Sequence, residues 1–386
     1  MSTYAALEHL KDKIIKHNTI KADHFDLFDV KRGLRNQDGS GVLAGLSHIS
    51  SVIGTVKTDG VLSPTEGILK FRGYPLDELI AQTPNRQLET LTYLLLVGEL
   101  PTEKELTTFC NILGEERQIP EPILEHVIKA LPSKSVMNKL QTVISALYTL
   151  DEDADSLDAY ENFKKSVSIL AKLPLIVAYA YLSAYKPGAK FVQPPASMSQ
   201  AEAFLYALKE GEPSSELDNK IMDLSLALHT EHGGGNNSTF TTYVVTSSGS
   251  DIYSTLAAAI ASLKGPLHGA ANKKVMDMIA DIKKHTDWRS EEALTDYLRK
   301  ILTKEAYDRS GKIFGLGHAV YTKSDPRAVI LKTEADKLAE EKSRTEELNL
   351  YYNIERIGPA LFAELKGPRK VISPNVDFFS GFVYDC

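Results

Sequence analysis

The chain has 386 residues, of which 43% are hydrophobic and 25% charged, with 24 glycines and 17 prolines. That composition excludes a fibrous or largely disordered chain, and the length can bury a sizeable core in two domains or one large one. The net charge of −7 and the lack of any dense Lys/Arg run argue against a nucleic-acid partner, since duplex binding needs a basic cluster to displace phosphate counterions.

The N-terminus mixes Glu8 and Asp12 with Lys11, Lys13 and Lys16 and has no secretory apolar segment. From 41 to 71 the chain reads as extended, with short apolar or β-branched runs (Val52-Ile53, and Ile68 to Phe71) between glycines. Beyond that it is helical. Apolar residues recur at three and four in 88–99 (Leu88, Leu91, Leu94, Leu95), 137–149 (Met137, Leu140, Val143, Leu147) and 217–228 (Leu217, Ile221, Leu224, Leu228). Further helices are predicted around 102–115, 158–171, 175–186, 199–210, 251–263, 273–285, 290–303 and 326–342. Pro101, the Pro120/Pro122 pair, Pro174, Pro187-Gly188 and Pro194-Pro195 are read as breakers between them. The fold class is therefore mostly α. The longest apolar stretch, Leu173–Tyr185, contains Pro174 and Ser183 and reads as too short to span a bilayer. Cys110 and Cys386 make neither a disulfide framework nor a Cys-rich zinc site, and fit a reducing compartment. A soluble, cytoplasmic protein without a membrane partner is expected.

After the Leu256–Leu263 helix the chain becomes more charged and richer in glycine. This divides it into a larger helical domain, 1–265, with an N-terminal extension of about 1–40, and a smaller one, 266–386. A cleft between two such domains is a common small-molecule site.

Chemistry concentrates in the last 160 or so residues. The stripe Leu217, Ile221, Leu224, Leu228 steps next onto His232, so that His232 would close a helix before Gly233-Gly234-Gly235-Asn236. The glycines would stop the helix and let backbone N–H groups approach a ligand. A histidine favoured by the helix dipole at a C-cap fits the same pattern, and His229 one turn earlier reads as a core histidine. His268 in GPLHGAAN follows a helix that Asp251 would cap, with small neighbours that leave room for a substrate or simply form a tight turn. His318 in FGLGHAV is presented by a Gly-x-Gly turn, with Arg327 nine residues on. A solvated turn with a surface arginine reads equally well there. Asp377 lies between Val376 and Phe378-Phe379. Partial desolvation there would raise its pKa toward a general-base range, unless it sits in an exposed loop. Together these groups suit enolisation and carbonyl addition. A carboxylate takes the proton, one donor meets the enolate oxygen, another polarises a ketone, and an arginine grips a carboxylate.

The segments LHTEHGGGNNSTF (228–240), LKGPLHGAAN (263–272), FGLGHAVYTKSDPR (314–327) and PNVDFFSG (374–381), with GILKFRGYPLDEL (67–79), resemble the citrate synthase family, in the branch that includes 2-methylcitrate synthases. The resemblance runs from about residue 30 to the end. It implies a large helical domain and a small one closing over the site, in a homodimer or higher homo-oligomer. It implies that His268 stabilises the enol of acetyl-CoA, Asp377 removes the methyl proton and His318 polarises the oxaloacetate carbonyl. His232 and Arg327 would hold carboxylates, with Asn236 nearby. Lys312, Gly315, Leu316, Gly317 and Lys323 would face the CoA nucleotide. Acetyl-CoA would be a cosubstrate, with no metal and no permanently bound cofactor.

The resemblance also implies a further segment of some fifty residues beyond PNVDFFSG, returning to the large domain with two more substrate arginines. Against that pattern the substrate carboxylates are expected to be short of cations and part of the large domain uncovered. Thr322 stands where some relatives carry a phosphate-binding arginine. The alternatives are a 2-methylcitrate synthase using propionyl-CoA and a low-activity acyl-CoA-binding protein. A zinc hydrolase built on His229, His232, His268 and Asp377 lacks an HExxH or CxxC pattern.

Overall fold

The computed structural model describes residues 48–386 except 59–60, 266–267, 270, 319 and 368–371, together with Asp23 and Leu27; the expected N-terminal extension otherwise lies outside the described residues. The extended region is a hairpin of β1 (Ser50–Thr58) and β2 (Val61–Phe71), antiparallel with Ile53 opposite Ile68, and a short β3 (Tyr74–Pro75) pairs with the end of β2. Leu69 and Phe71 face the core while Ile68 points outward, the alternation a half-buried strand requires. The register slips between Ile53 and Thr55, at Gly54.

Helices follow in chain order: α1 (Leu76–Gln82), α2 (Gln87–Val97), α3 (Glu103–Glu116), α4 (Val136–Leu147), α5 (Ala159–Tyr185), α6 (Gln200–Leu208) and α7 (Glu216–Leu228). Then come α8 (Asn237–Thr246), α9 (Ile252–Leu263), α10 (Ala271–His285), α11 (Glu291–Leu302), α12 (Pro326–Glu341), α13 (Thr345–Lys366) and α14 (Val376–Asp385). The mostly α expectation holds. Many starts are written locally: Thr102 and Ser199 form capping boxes with Glu105 and Glu202, and Asp251 caps α9 as anticipated.

Three local readings are corrected. Pro174 does not separate two helices, because α5 runs unbroken through it for 27 residues. An interior proline costs about 3 kcal/mol, and the burial of Ala171, Leu175, Ile176, Ala178 and Leu182 around it offsets that. By length and hydropathy α5 could cross a membrane, which the shorter apolar stretch did not suggest. It is instead packed against α3, α4 and α6, and Lys172 within it is buried, bonding the Glu116 carbonyl at 2.7 Å and its carboxylate at 3.2 Å. A second interior proline, Pro359, sits in α13, a helix that the sequence analysis did not anticipate. Finally, α7 ends at Leu228 rather than reaching His232. The Nδ1 of His229 lies 2.7 Å from the Ser225 carbonyl and Thr230 Oγ1 donates to the Ala227 carbonyl, so polar side chains meet the end of the helix before the glycines do.

The largest core cluster joins residues from 69–94 and 221–228 with others from 275–383; a second lies within 119–257. The hairpin lies flat on the 320–326 segment. A Cβ on Gly54 would stand 2.1 Å from the Val320 carbonyl oxygen, and one on Gly67 2.2 Å from that of Ser324, so only glycine permits this approach.

Candidate active site

The loop between α11 and α12 is pinned to the start of α14 by backbone bonds. Gly317 N–H donates to the Ser373 carbonyl at 2.7 Å, Asn375 N–H to the Gly315 carbonyl at 2.9 Å, and Leu316 bridges Pro374. Gly315 has φ +82° and lies against Phe378 and Val275, where a Cβ would clash at 2.7 and 2.9 Å. Gly315, Leu316 and Gly317 thus act structurally in setting His318 beside the helix that carries Asp377. Lys312 and Lys323 flank this loop and are exposed.

His318 accepts two backbone N–H groups on its own Nδ1, from Val320 and Tyr321, each at 3.0 Å. An imidazole nitrogen that accepts cannot carry a proton, so the neutral ring holds its proton on Nε2 and presents a donor there. Burial pushes His318 down to about 4. The His232 ring meets that of His318 edge-on at 4.9 Å and that of Tyr321 at 5.4 Å. Burial, reinforced by the Arg327 charge, pushes His232 down to about 3. Both histidines are neutral donors or acceptors at physiological pH.

Arg327 enters through α12. Asp325 caps that helix, and its carboxylate accepts from Arg327 backbone N–H (3.0 Å), Nε (3.1 Å) and Nη2 (2.8 Å), and from Val376 N–H (3.1 Å). Burial alone would raise the Asp325 pKa, but the Arg327 hydrogen bonds and charge win and hold it below the usual carboxylate range. One carboxylate therefore ties the guanidinium to the residue before Asp377, and leaves Nη1 outside the pair. Asp377, the second residue of α14, is raised by burial, with His229 and Arg327 pulling weakly the other way. Its environment is the desolvated one anticipated from its apolar flanks.

His268 lies in the turn between α9 and α10, its Nε2 3.0 Å from Ser238 Oγ on α8. Gly269 must be glycine there, since a Cβ would stand 2.2 Å from the Leu263 carbonyl oxygen. Burial lowers the His268 pKa. Four residues on, Asn272 donates to Ser380 of α14 at 2.7 Å, so the His268 turn and the Asp377 helix are stitched together. Asn236 is engaged as the cap of α8, accepting from Thr239 N–H at 3.0 Å and donating to the Gly233 carbonyl at 3.0 Å. Thr322 Oγ1 bonds the carbonyls of Gly54 (2.5 Å) and Thr65 (3.2 Å), holding the hairpin against the loop.

Tyr321, Asp325 and Ser238 were not singled out from the sequence. Asp325 had a signal, an acidic N-cap before Pro326 at the first helical position; Tyr321 had none. A cavity of about 1100 Å³ lies elsewhere, between α3 and α5 around Phe109, Phe163 and Lys172, and none of the site residues lines it. The chemistry of the histidine cluster outweighs that volume in locating the site, because the cavity's most buried lysines, Lys165 and Lys172, are already paired with Asp151 and Glu116.

The family profile described as citrate synthase, C-terminal domain, matches residues 38–386. The chain belongs to the citrate synthase family. Its citrate synthase relatives make it an acyl-transferring enzyme. They include citrate synthase 2 of Bacillus subtilis, 36% identical over 345 residues (89% of this chain, 82% of the relative). Another is the citrate synthase of Haloferax volcanii, 34% identical over 364 residues (92% and 84%). Among solved structures, citrate synthase from Pyrobaculum aerophilum superposes with TM-score 0.74 at 28% identity, covering 92% of this chain and 84% of that one. A ternary complex of carboxymethyl coenzyme A and oxaloacetate with the Thermoplasma acidophilum citrate synthase matches with TM-score 0.72 at 28% identity, covering 88% and 81%.

Proposed function

We propose that this enzyme condenses acetyl-CoA with oxaloacetate and hydrolyses the resulting thioester to citrate and CoA. The observation that carries this reading is the meeting of two neutral histidines, His232 and His318, with a carboxylate-held Arg327 beside the helix bearing the desolvated Asp377. Asp377 takes a methyl proton of acetyl-CoA while His268 donates to the developing enolate oxygen. The enol carbon then attacks the ketone of oxaloacetate as His318 Nε2–H donates to its oxygen, and His232 and Arg327 hold the carboxylates. Water finally cleaves the thioester, returning CoA as a thiol. The relative bound to oxaloacetate and a CoA analogue supports this substrate pair. The Lys312–Lys323 loop would face the CoA nucleotide, in a cytoplasmic enzyme.

Homodimer formation belongs to the same reading. No residue of α8 is buried, and Phe240 and Val244, one turn apart, are 37% and 52% exposed. An apolar face of this kind suits a second copy. Release of thiol from acetyl-CoA, with and without oxaloacetate and beside propionyl-CoA, tests the function. Oxaloacetate-dependent release with a higher kcat/KM for acetyl-CoA is expected; a higher value for propionyl-CoA reassigns the enzyme to 2-methylcitrate synthesis. One methylene is worth only about 1–3 kcal/mol in an apolar pocket, so both are to be measured.

A further inference from the structure

Tyr321 is 97% buried in effect, with 3% of its surface exposed, yet its hydroxyl has no hydrogen-bond partner among the described residues. Nε2 of His232 is orphaned in the same way. Buried polar atoms left unpaired are rare, and each calls for an explanation such as a ligand that completes it. These two belong to rings 5.4 Å apart. The Tyr321 ring also lies 4.7 Å from that of His318, tilted by 30°, and the Arg327 guanidinium carbon is 5.9 Å from its centre. A phenylalanine would fill the same space without an unmet hydroxyl, so packing alone does not account for tyrosine here.

We infer that Tyr321 is a substrate-binding residue, its hydroxyl donating a hydrogen bond to a carboxylate of the small dicarboxylic 2-oxo acid held by His232 and Arg327. This rests on the function proposed above and adds a fourth side chain to the substrate cradle. The electrostatics explain why a neutral donor is useful. Asp325 engages two of the three guanidinium nitrogens of Arg327 and cancels much of its charge. A dianion then depends on uncharged donors as well, and beside His318 the buried Tyr321 hydroxyl and His232 Nε2 are adjacent atoms with unmet capacity. Burial raises the phenol pKa well beyond the physiological range, so the group donates and does not act as a base.

The test is calorimetric titration of the full chain with oxaloacetate alone, for wild type, Tyr321→Phe and Tyr321→Leu, alongside steady-state kinetics. A hydrogen bond to a charged group is worth on the order of tenfold or more in affinity. Tyr321→Phe is expected to weaken oxaloacetate binding and raise its KM by about tenfold, with the KM for acetyl-CoA unchanged. Tyr321→Leu, which also loses the ring against His318, should lower kcat as well. Wild-type affinity in Tyr321→Phe overturns the inference, leaving only a packing role. The near-ultraviolet tyrosine difference spectrum of the wild type on adding oxaloacetate is a readout that needs no variant; its absence under saturating binding has the same meaning. Wild type that binds no oxaloacetate overturns the proposed function and this inference with it.

Discussion

In the proposed reaction Asp377 and His268 would meet two requirements that a single residue cannot, a base that is desolvated and a donor held in place by Ser238. Asp377→Asn and His268→Ala should each cut kcat by ~10²–10⁴, the usual worth of a positioned acid or base, with unfolding midpoints unchanged; normal turnover in either removes the enolisation assigned to them. The histidines also set a pH dependence of stability. His232 and His318 have folded pKa values near 3 and 4, below the 6.5 of the unfolded chain. Below 6.5 the unfolded state binds protons that the folded state refuses, so stability falls as pH drops from 6.5 toward 4. At about pH 5 each histidine would cost about 2 kcal/mol relative to neutral pH. Urea unfolding from about pH 7.5 to 5 should show this slope, and His232→Gln should flatten it by roughly half; an unaltered slope in that variant would place the acid sensitivity elsewhere.

At the scale of elements, the site depends on a contact that no local pattern announces. The β1–β2 hairpin seats on the 320–326 segment through Gly54, Gly67 and Thr322, and that segment carries Tyr321, Asp325 and the entry to Arg327. Gly67→Ala places a methyl against the Ser324 carbonyl oxygen, so the hairpin must lift or the loop must shift. We expect a loss of about 1–3 kcal/mol from overpacking and a raised oxaloacetate KM. A variant with wild-type urea midpoint and KM would mean that the hairpin merely rests on the loop. Elsewhere, buried packing overrides what proline dictates locally. Pro174 and Pro359 both sit inside helices, and the sequence alone marked the first as a boundary and left the second helix unseen.

At the scale of the molecule, the proposed reaction requires water to be kept from the thioester until condensation is complete. We propose that the body whose core joins 69–94 and 221–228 with 275–383 closes against the one cored within 119–257, with Lys264-Gly265 among their connections. Lys312 and Lys323 are exposed and accessible to trypsin. Oxaloacetate at saturation should slow cleavage at both; demonstrable binding without protection would refute closure. The proposed self-association would use the exposed apolar face of α8. Val244→Asp on α8 should shift the sedimenting species toward monomer, while an unchanged species would place the subunit contact on another surface.

The sequence by itself determined the fold class, most helix positions and the four motifs that bear the site. Apolar periodicity, caps and glycine turns are local, and their physics acts within a few residues. The apolar flanks of Asp377 likewise announced its desolvation. Only the tertiary structure decided that His232 lies beyond its helix, that Asn236 is consumed by a cap, and that one carboxylate, Asp325, joins Arg327 to the start of the Asp377 helix. It alone gave Tyr321 its setting among His232, His318 and Arg327. These outcomes rest on contacts between segments far apart in the chain, where burial and hydrogen-bond completion select one arrangement that no short window of sequence encodes.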